Sequence, residues 1–220
     1  MTSAIAELLP ALRTGTLITL KLTVLATAAA LLMSVLAALL RRSRWKAVRV
    51  LAAAYVETFR GTSLLVQLFW LYYAFPLLLD IRLPVLTVAV LALGLNYGAY
   101  GSEVVRSALE AVPKGQTEAA IALNMSPFQR LRRIIGPQAL AIALPSLGNL
   151  QIELLKGTSL VSLITLGELT YQGMLLRTYD MSRTTLIFGL ILLLYFLIAQ
   201  LLLLVVRLLE RRFPAGRVGA

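Results

Sequence analysis

The sequence contains no cysteine and no histidine. Their absence removes disulfide frameworks, thiolate nucleophiles, histidine bases and the usual zinc ligand sets, so most catalytic constellations lack their parts. No G-x-x-x-x-G-K-[ST] phosphate loop occurs either, and any nucleotide-driven work must draw on a partner. The chain is therefore not expected to be an enzyme, and no cofactor or metal is expected. Charge is scarce: 14% of the 220 residues are Asp, Glu, Lys or Arg, against about 25% in soluble domains. What is abundant is apolar, 59% of the chain, where a soluble domain carries roughly 45–50%. A water-soluble domain is excluded. The net charge of +11 comes from basic clusters between long uncharged runs, which argues against nucleic acid as a partner.

A spanning helix needs about 20 mostly apolar residues, because the hydrocarbon core is roughly 30 Å thick and each helical residue rises about 1.5 Å. Five segments meet that length, near 17–40, 50–79, 83–105, 137–166 and 184–207. The pattern predicts an all-α polytopic membrane protein forming a single permease-like domain. The fourth segment, entered from Gly136, carries Pro137, Pro145 and Gly148 and is expected to be bent or broken. Alternate connections hold fourteen basic residues, among them Arg41, Arg106, Lys114, Arg207 and Arg217, against four on the other side, Arg13, Arg82, Arg177 and Arg183. The positive-inside rule then puts the N-terminus outside and the C-terminus in the cytoplasm.

The connection at 106–136 is far longer than the other inside loop, and long loops in compact proteins are commonly functional. Gly115–Met125 reads GQTEAAIALNM, rich in helix formers. Ser126 then starts a second short helix, with Pro127 at its first position and Gln129 at the reciprocal capping-box position. Asn124 falls at the turn between the two, where a left-handed residue is often required. Gly136 and Pro137 are expected to stop the second helix. The result is a helix-turn-helix on the cytoplasmic face carrying Arg130, Arg132 and Arg133.

Glu118-Ala119-Ala120, then Asn124, then Ile134 and Pro137, closely resemble the E-A-A-x3-G-x9-I-x-L-P loop of ATP-binding-cassette importer permeases. Asn124 stands where that pattern has Gly, and Gly136 where it has Leu. Arg60–Gln67 (RGTSLLVQ), Ala92–Tyr100 (ALGLNYGAY) and Ala111–Gln116 (AVPKGQ) also resemble the polar amino-acid branch of that family, and the permeases for ectoine and hydroxyectoine in particular. The resemblance implies a type I permease core of five helices in the bacterial cytoplasmic (inner) membrane. It also implies a second permease copy or paralogue, an ATP-binding cassette ATPase dimer beneath, and an extracellular or periplasmic solute-binding protein. Glu118, Ala119, Ala120, Asn124, Ile134 and Pro137 would make the ATPase-coupling element, with the first short helix seated in a groove of the ATPase.

Ionisable groups inside a membrane usually face a bundle interior, paired with one another or with solute. Glu57 with Arg60, Glu103 with Arg106, and Glu153 with Lys156 sit at i, i+3 spacing, which lets each pair neutralise itself on one helix face. Glu103 and Arg106 lie at the cytoplasmic end of a span and read as a structural pair. For Glu57, Arg60, Glu153 and Lys156, structural pairing and a place along the path of a small polar solute both remain open. Asn96 and Tyr97, beside the G-x-x-x-G of Gly94 and Gly98, read as helix packing or as path lining. The stretch from Gly167 to Arg183, with Glu168, Tyr171, Arg177 and Asp180, offers a docking surface for a binding protein. A contrasting possibility is an ion-coupled secondary transporter using Glu57 or Glu153. Such a carrier has no need of a capped cytoplasmic helix pair, and five spans without an inverted repeat would be few.

Overall fold

The computed structural model describes residues 2–212, with side chains from residue 7 onward; Arg217, counted above on the inner side, lies outside the described residues. Helix α1 runs over Thr2–Leu40, well before the start expected near residue 17. Tertiary packing explains the extension. Leu8 and Leu12 are buried with Leu169, Ile187 and Ile191 in a small core of their own, which holds the first turns helical through Pro10.

Helix α2 covers Lys46–Gly61; α3 (Leu64–Phe69), a π-helical turn (Trp70–Ala74) and α4 (Phe75–Leu79) follow. The segment expected as one span at 50–79 is in fact two rods, Lys46–Gly61 and Leu64–Leu79, that meet at 108°. Helix α5 is Val85–Ala111 and α6 is Lys114–Ala122; α7 (Pro127–Arg130), a second π turn (Leu131–Ile135) and α8 (Gly136–Gly157) form one continuous rod. A 3-10 turn at Thr158–Ile164 leads to α9 (Leu169–Tyr179), and α10 (Thr184–Arg212) closes the described chain.

Three helical stretches are long and apolar enough to cross a membrane, Glu7–Leu40, Val85–Ala111 and Met181–Arg212, and the bent pair brings the number to four. Helix α8 has the length, but Gln138, Asn149, Gln151, Glu153 and Lys156 make it more polar. Helix α8 continues through Pro145, so the segment is not broken there. Gly148 serves a different purpose from a break: a Cβ there would lie 2.5 Å from Val206 Cγ1, so the glycine lets α10 approach.

The core is built around α1 and α5, which make the most extensive helix contact. Leu22, Ala26 and Ala30 of α1 pack on Val88, Ala89, Ala92 and Leu93 of α5. The G-x-x-x-G pattern is a packing device here. A Cβ on Gly94 would come within 2.6 Å of the Ala29 Cβ, and one on Gly98 within 2.6 Å of the Met33 Cβ, so only glycine allows this approach.

Candidate functional site

Local chemistry builds the loop between α5 and α8. Helix α6 ends where Asn124 takes a left-handed φ of 54°. The Met125 N–H donates back to the Ala120 carbonyl at 3.1 Å and the Asn124 N–H to the Ile121 carbonyl at 2.9 Å. These two bonds are a Schellman end, whose left-handed position takes Gly or, as here, Asn. Two residues on, the Ser126 hydroxyl accepts from the Gln129 N–H at 3.3 Å, while Gln129 Oε1 accepts from the Ser126 N–H at 2.9 Å. The expected capping box is present in full.

The expected stop at Gly136 and Pro137 is absent. Pro137 has no N–H to bond the carbonyl four residues back, and its ring would crowd that carbonyl in an ordinary α-helix. The π turn just before it shifts the ladder by one, so that the Gly136 N–H bonds the Leu131 carbonyl. A Cβ on Gly136 would sit 2.5 Å from that oxygen. Phe75 and Pro76 follow the other π turn in the same way, with the Phe75 N–H bonded to the Trp70 carbonyl.

Ala120 is fully buried within the chain itself. It packs the loop from inside. Glu118, Ala119 and Asn124 are exposed and Ile134 is half-buried. The outer surface instead carries Ile121, Leu123 and Phe128, 53%, 73% and 68% exposed, beside the exposed Arg132 and Arg133. Sequence reasoning overlooked these three apolar side chains, although they stand in the same helix-turn-helix. The capped element thus holds large apolar side chains in the open, a kind of surface that commonly marks a contact site.

The intramembrane candidates separate into two groups. Helix α2 ends at Gly61, and its last carbonyls, which have no partner within the helix, are met by side chains. The Thr62 hydroxyl donates to the Thr58 carbonyl at 2.7 Å. The Phe59 carbonyl accepts from Asn96 Nδ2 at 3.1 Å and from Gln67 Nε2 at 3.0 Å, and the Arg60 carbonyl accepts from the Tyr100 hydroxyl at 3.2 Å. The C-terminal end of α8 is treated alike. Its Glu153 carbonyl accepts from the Tyr97 hydroxyl at 2.8 Å, and its Leu155 and Lys156 carbonyls from Thr158 and Ser159, each at 2.7 Å. The polar stripe of α5 therefore caps two helix ends. Gln67, missed as an individual residue, also joins the network by accepting from Asn96 at 3.1 Å.

Of the three expected i, i+3 pairs only Glu103–Arg106 forms, at 2.9 Å. Glu103 gathers Arg41 as well, and Arg60 Nη1 lies 3.5 Å away. Arg60 is thus drawn from Glu57 toward α5, where its guanidinium stands 5.5 Å over the Tyr100 ring. Three cations, from the α1–α2 turn, α2 and α5, meet one carboxylate. Glu57, Glu153 and Lys156 are exposed in the single chain and form no ion pair among the described residues.

Glu168 is a second correction. It is no surface group but fully buried, accepting at the N-terminus of α9 from the Tyr171 N–H at 2.8 Å and from the Tyr195 hydroxyl at 2.8 Å. Neutral donors hold it, and it ties α9 to α10.

Residues 11–214 match the family described as binding-protein-dependent transport system inner membrane component. A probable amino-acid ABC transporter permease of Sinorhizobium fredii is 51% identical over 161 residues, 71% of this chain and 67% of the relative. The L-cystine transport system permease of Bacillus subtilis is 37% identical over 203 residues, 92% of this chain and 86% of the relative. The glutamine transport system permease of Escherichia coli is 37% identical over 212 residues, 96% of each chain. A solved amino acid ABC transporter with histidines superposes with a TM-score of 0.86 at 35% identity, over 95% of this chain and 97% of that one. An inward-facing methionine ABC transporter gives a TM-score of 0.76 at 20% identity over 97% and 99% of the two chains, a likeness of fold. The three curated relatives carry amino acids, not ectoine, in their names.

Proposed function

Because the chain belongs to the family of binding-protein-dependent transport system inner membrane components, we propose that it forms the translocation path of an ATP-driven importer for a polar amino acid or a similar small zwitterion. Membership makes it an ABC transporter permease subunit of the inner membrane and sets the ion-coupled alternative aside. The proposal adds the solute class, the coupling element and the assembly. In it the chain crosses the membrane five times with its N-terminus outside, pairs with a second copy or a paralogue, receives solute from a binding protein and stands on an ATPase dimer that alone hydrolyses ATP.

One observation carries the coupling reading: the capped α6–α7 element exposes Ile121, Leu123 and Phe128. Glu118, Ala119, Asn124, Ile134 and Pro137 keep their proposed part in that element, with Ala120 holding it together from inside. Because α7 continues through the π turn into α8, a displacement of the loop is passed along a rod into the bundle. For the solute path, the C-terminal end of α8 meets the start of α3 at Tyr97: a Cβ on Gly157 would lie 2.7 Å from its hydroxyl and 3.3 Å from Leu64 Cδ2, while the neighbouring Asn96 and Tyr100 hold the C-terminal end of α2. Helix C-termini carry partial negative charge, and exposed Glu153 adds a full one, so this region suits the ammonium of an amino acid. Glu57 and Lys156, also exposed, are the remaining candidates for the path.

The test is reconstitution of the permease with its ATPase and binding protein in liposomes and measurement of ATP-dependent uptake of glutamine, cystine and a compatible solute. Uptake of an amino acid that Glu153→Gln weakens or redirects is expected. Uptake driven by an ion gradient without ATP would contradict the proposal.

A further inference from the structure

The turn between α1 and α2 has a composition unlike the rest of the molecule. Residues 41–49 read RRSRWKAVR, five basic residues and no acidic one. Arg41 is held by Glu103. Arg42, Arg44, Lys46 and Arg49 are exposed and form no ion pair among the described residues. Trp45 stands among them, 75% exposed.

Two apolar surfaces run up to this cluster. The last turns of α1 expose Leu32, Val35, Leu36 and Leu39. On α2, Ala47, Val50, Leu51 and Ala54 recur at i, i+3, i+4 and i+7, and all four are exposed, while Ala52 and Val56 on the other side are buried. An acidic protein surface would satisfy the four cations but would leave Trp45 and this stripe uncovered. The edge of a bilayer covers both, since indole settles at headgroup level and basic side chains reach the phosphates.

We propose that the α1–α2 turn is a binding site for an anionic phospholipid of the inner leaflet, with the phosphodiester among Arg42, Arg44 and Arg49 and Trp45 against the glycerol backbone. Only the choice of leaflet rests on the orientation proposed above. Bound lipid would fix the base of α2, whose far end carries Arg60 to Glu103 and so meets the helices of the path.

The experiment is native mass spectrometry of the detergent-solubilised permease with its ATPase subunits, titrated with dioleoylphosphatidylglycerol or dioleoylphosphatidylcholine. Phosphatidylglycerol should bind at least about tenfold more tightly than phosphatidylcholine, and R42Q/R44Q/R49Q should abolish that preference. R42K/R44K/R49K should keep it, and W45A should weaken both lipids. Equal binding of the two lipids by the unaltered protein, or an unchanged preference in the glutamine variant, would overturn the site. So would loss of the ATPase subunits from the glutamine variant with lipid binding intact, which would assign the cluster to a protein partner. Because the chain lacks cysteine, S43C labelled by a membrane-impermeant maleimide reports the side separately. Labelling from outside would overturn the inner-leaflet assignment and the orientation, whatever the lipid result.

Discussion

The α1–α5 contact and the α6–α7 loop use small residues toward different ends. In the first, Gly94 and Gly98 bring α5 onto Ala29 and Met33 of α1, and the surrounding side chains are buried by the chain itself. In the second, buried Ala120 closes the element on its inner side while Ile121, Leu123 and Phe128 remain open. The first contact is finished within the chain, and the second element leaves an apolar face open. In the proposed assembly the closed helix pair is the frame and the open face is what the ATPase covers.

The sharpest way to break the finished side is Gly98→Leu. Its Cβ alone would meet the Met33 Cβ at 2.6 Å, and overpacking of this kind costs about 3 kcal/mol or more where backbone cannot yield. The expected outcome is loss of monodisperse permease after membrane extraction, read by size-exclusion chromatography. Ala120→Arg should be nearly as damaging but local. The side chain has no room inside the loop, so limited proteolysis should cleave between α6 and α7 while the rest of the chain still extracts. Ser126→Ala removes one half of the capping box and should cost about 1 kcal/mol, seen as faster amide exchange at Gln129 with the fold intact.

The smallest effect lies at the turn before α10. There the Ser182 hydroxyl, above all, and the nearby Arg183 hold the exposed Asp180 carboxyl below its ordinary range. A carboxylate whose folded pKa is depressed adds stability above its unfolded pKa and loses it as pH falls through the folded one. Asp180→Asn should thus slightly reduce thermal stability at neutral pH and leave it unchanged at strongly acid pH, as followed by thermal melts across pH.

The same contrast explains what could be read in advance. The loop was legible because its signals are local: Asn124, Ser126, Pro127 and Gln129 meet partners within five residues. The helix bend after Gly61 was not, because the groups that satisfy the α2 carbonyls come from Gln67 and from Asn96 and Tyr100 of another helix. Glu168 read as a surface group because the hydroxyl that receives it, on Tyr195, lies 27 residues further along. The intramembrane pairs were drawn from spacing alone. Spacing allows a pair, but Arg60 chose Glu103 and the Tyr100 ring over Glu57. Ala120 is small in the sequence and buried in the fold: from sequence, a residue that lets a partner in and one that lets its own chain close look alike.

The most direct test of the central claim, that the open apolar face of the loop couples this chain to an ATPase, is purification in mild detergent of the wild-type chain beside L123D/F128D, with mass spectrometry of what accompanies each. Both altered side chains are exposed, so yield and thermal stability of the permease should match wild type. The account predicts stoichiometric ATPase with the wild type and at least about tenfold less with the variant, as expected when central apolar contacts become charged. A variant that retains its full complement of ATPase would contradict it.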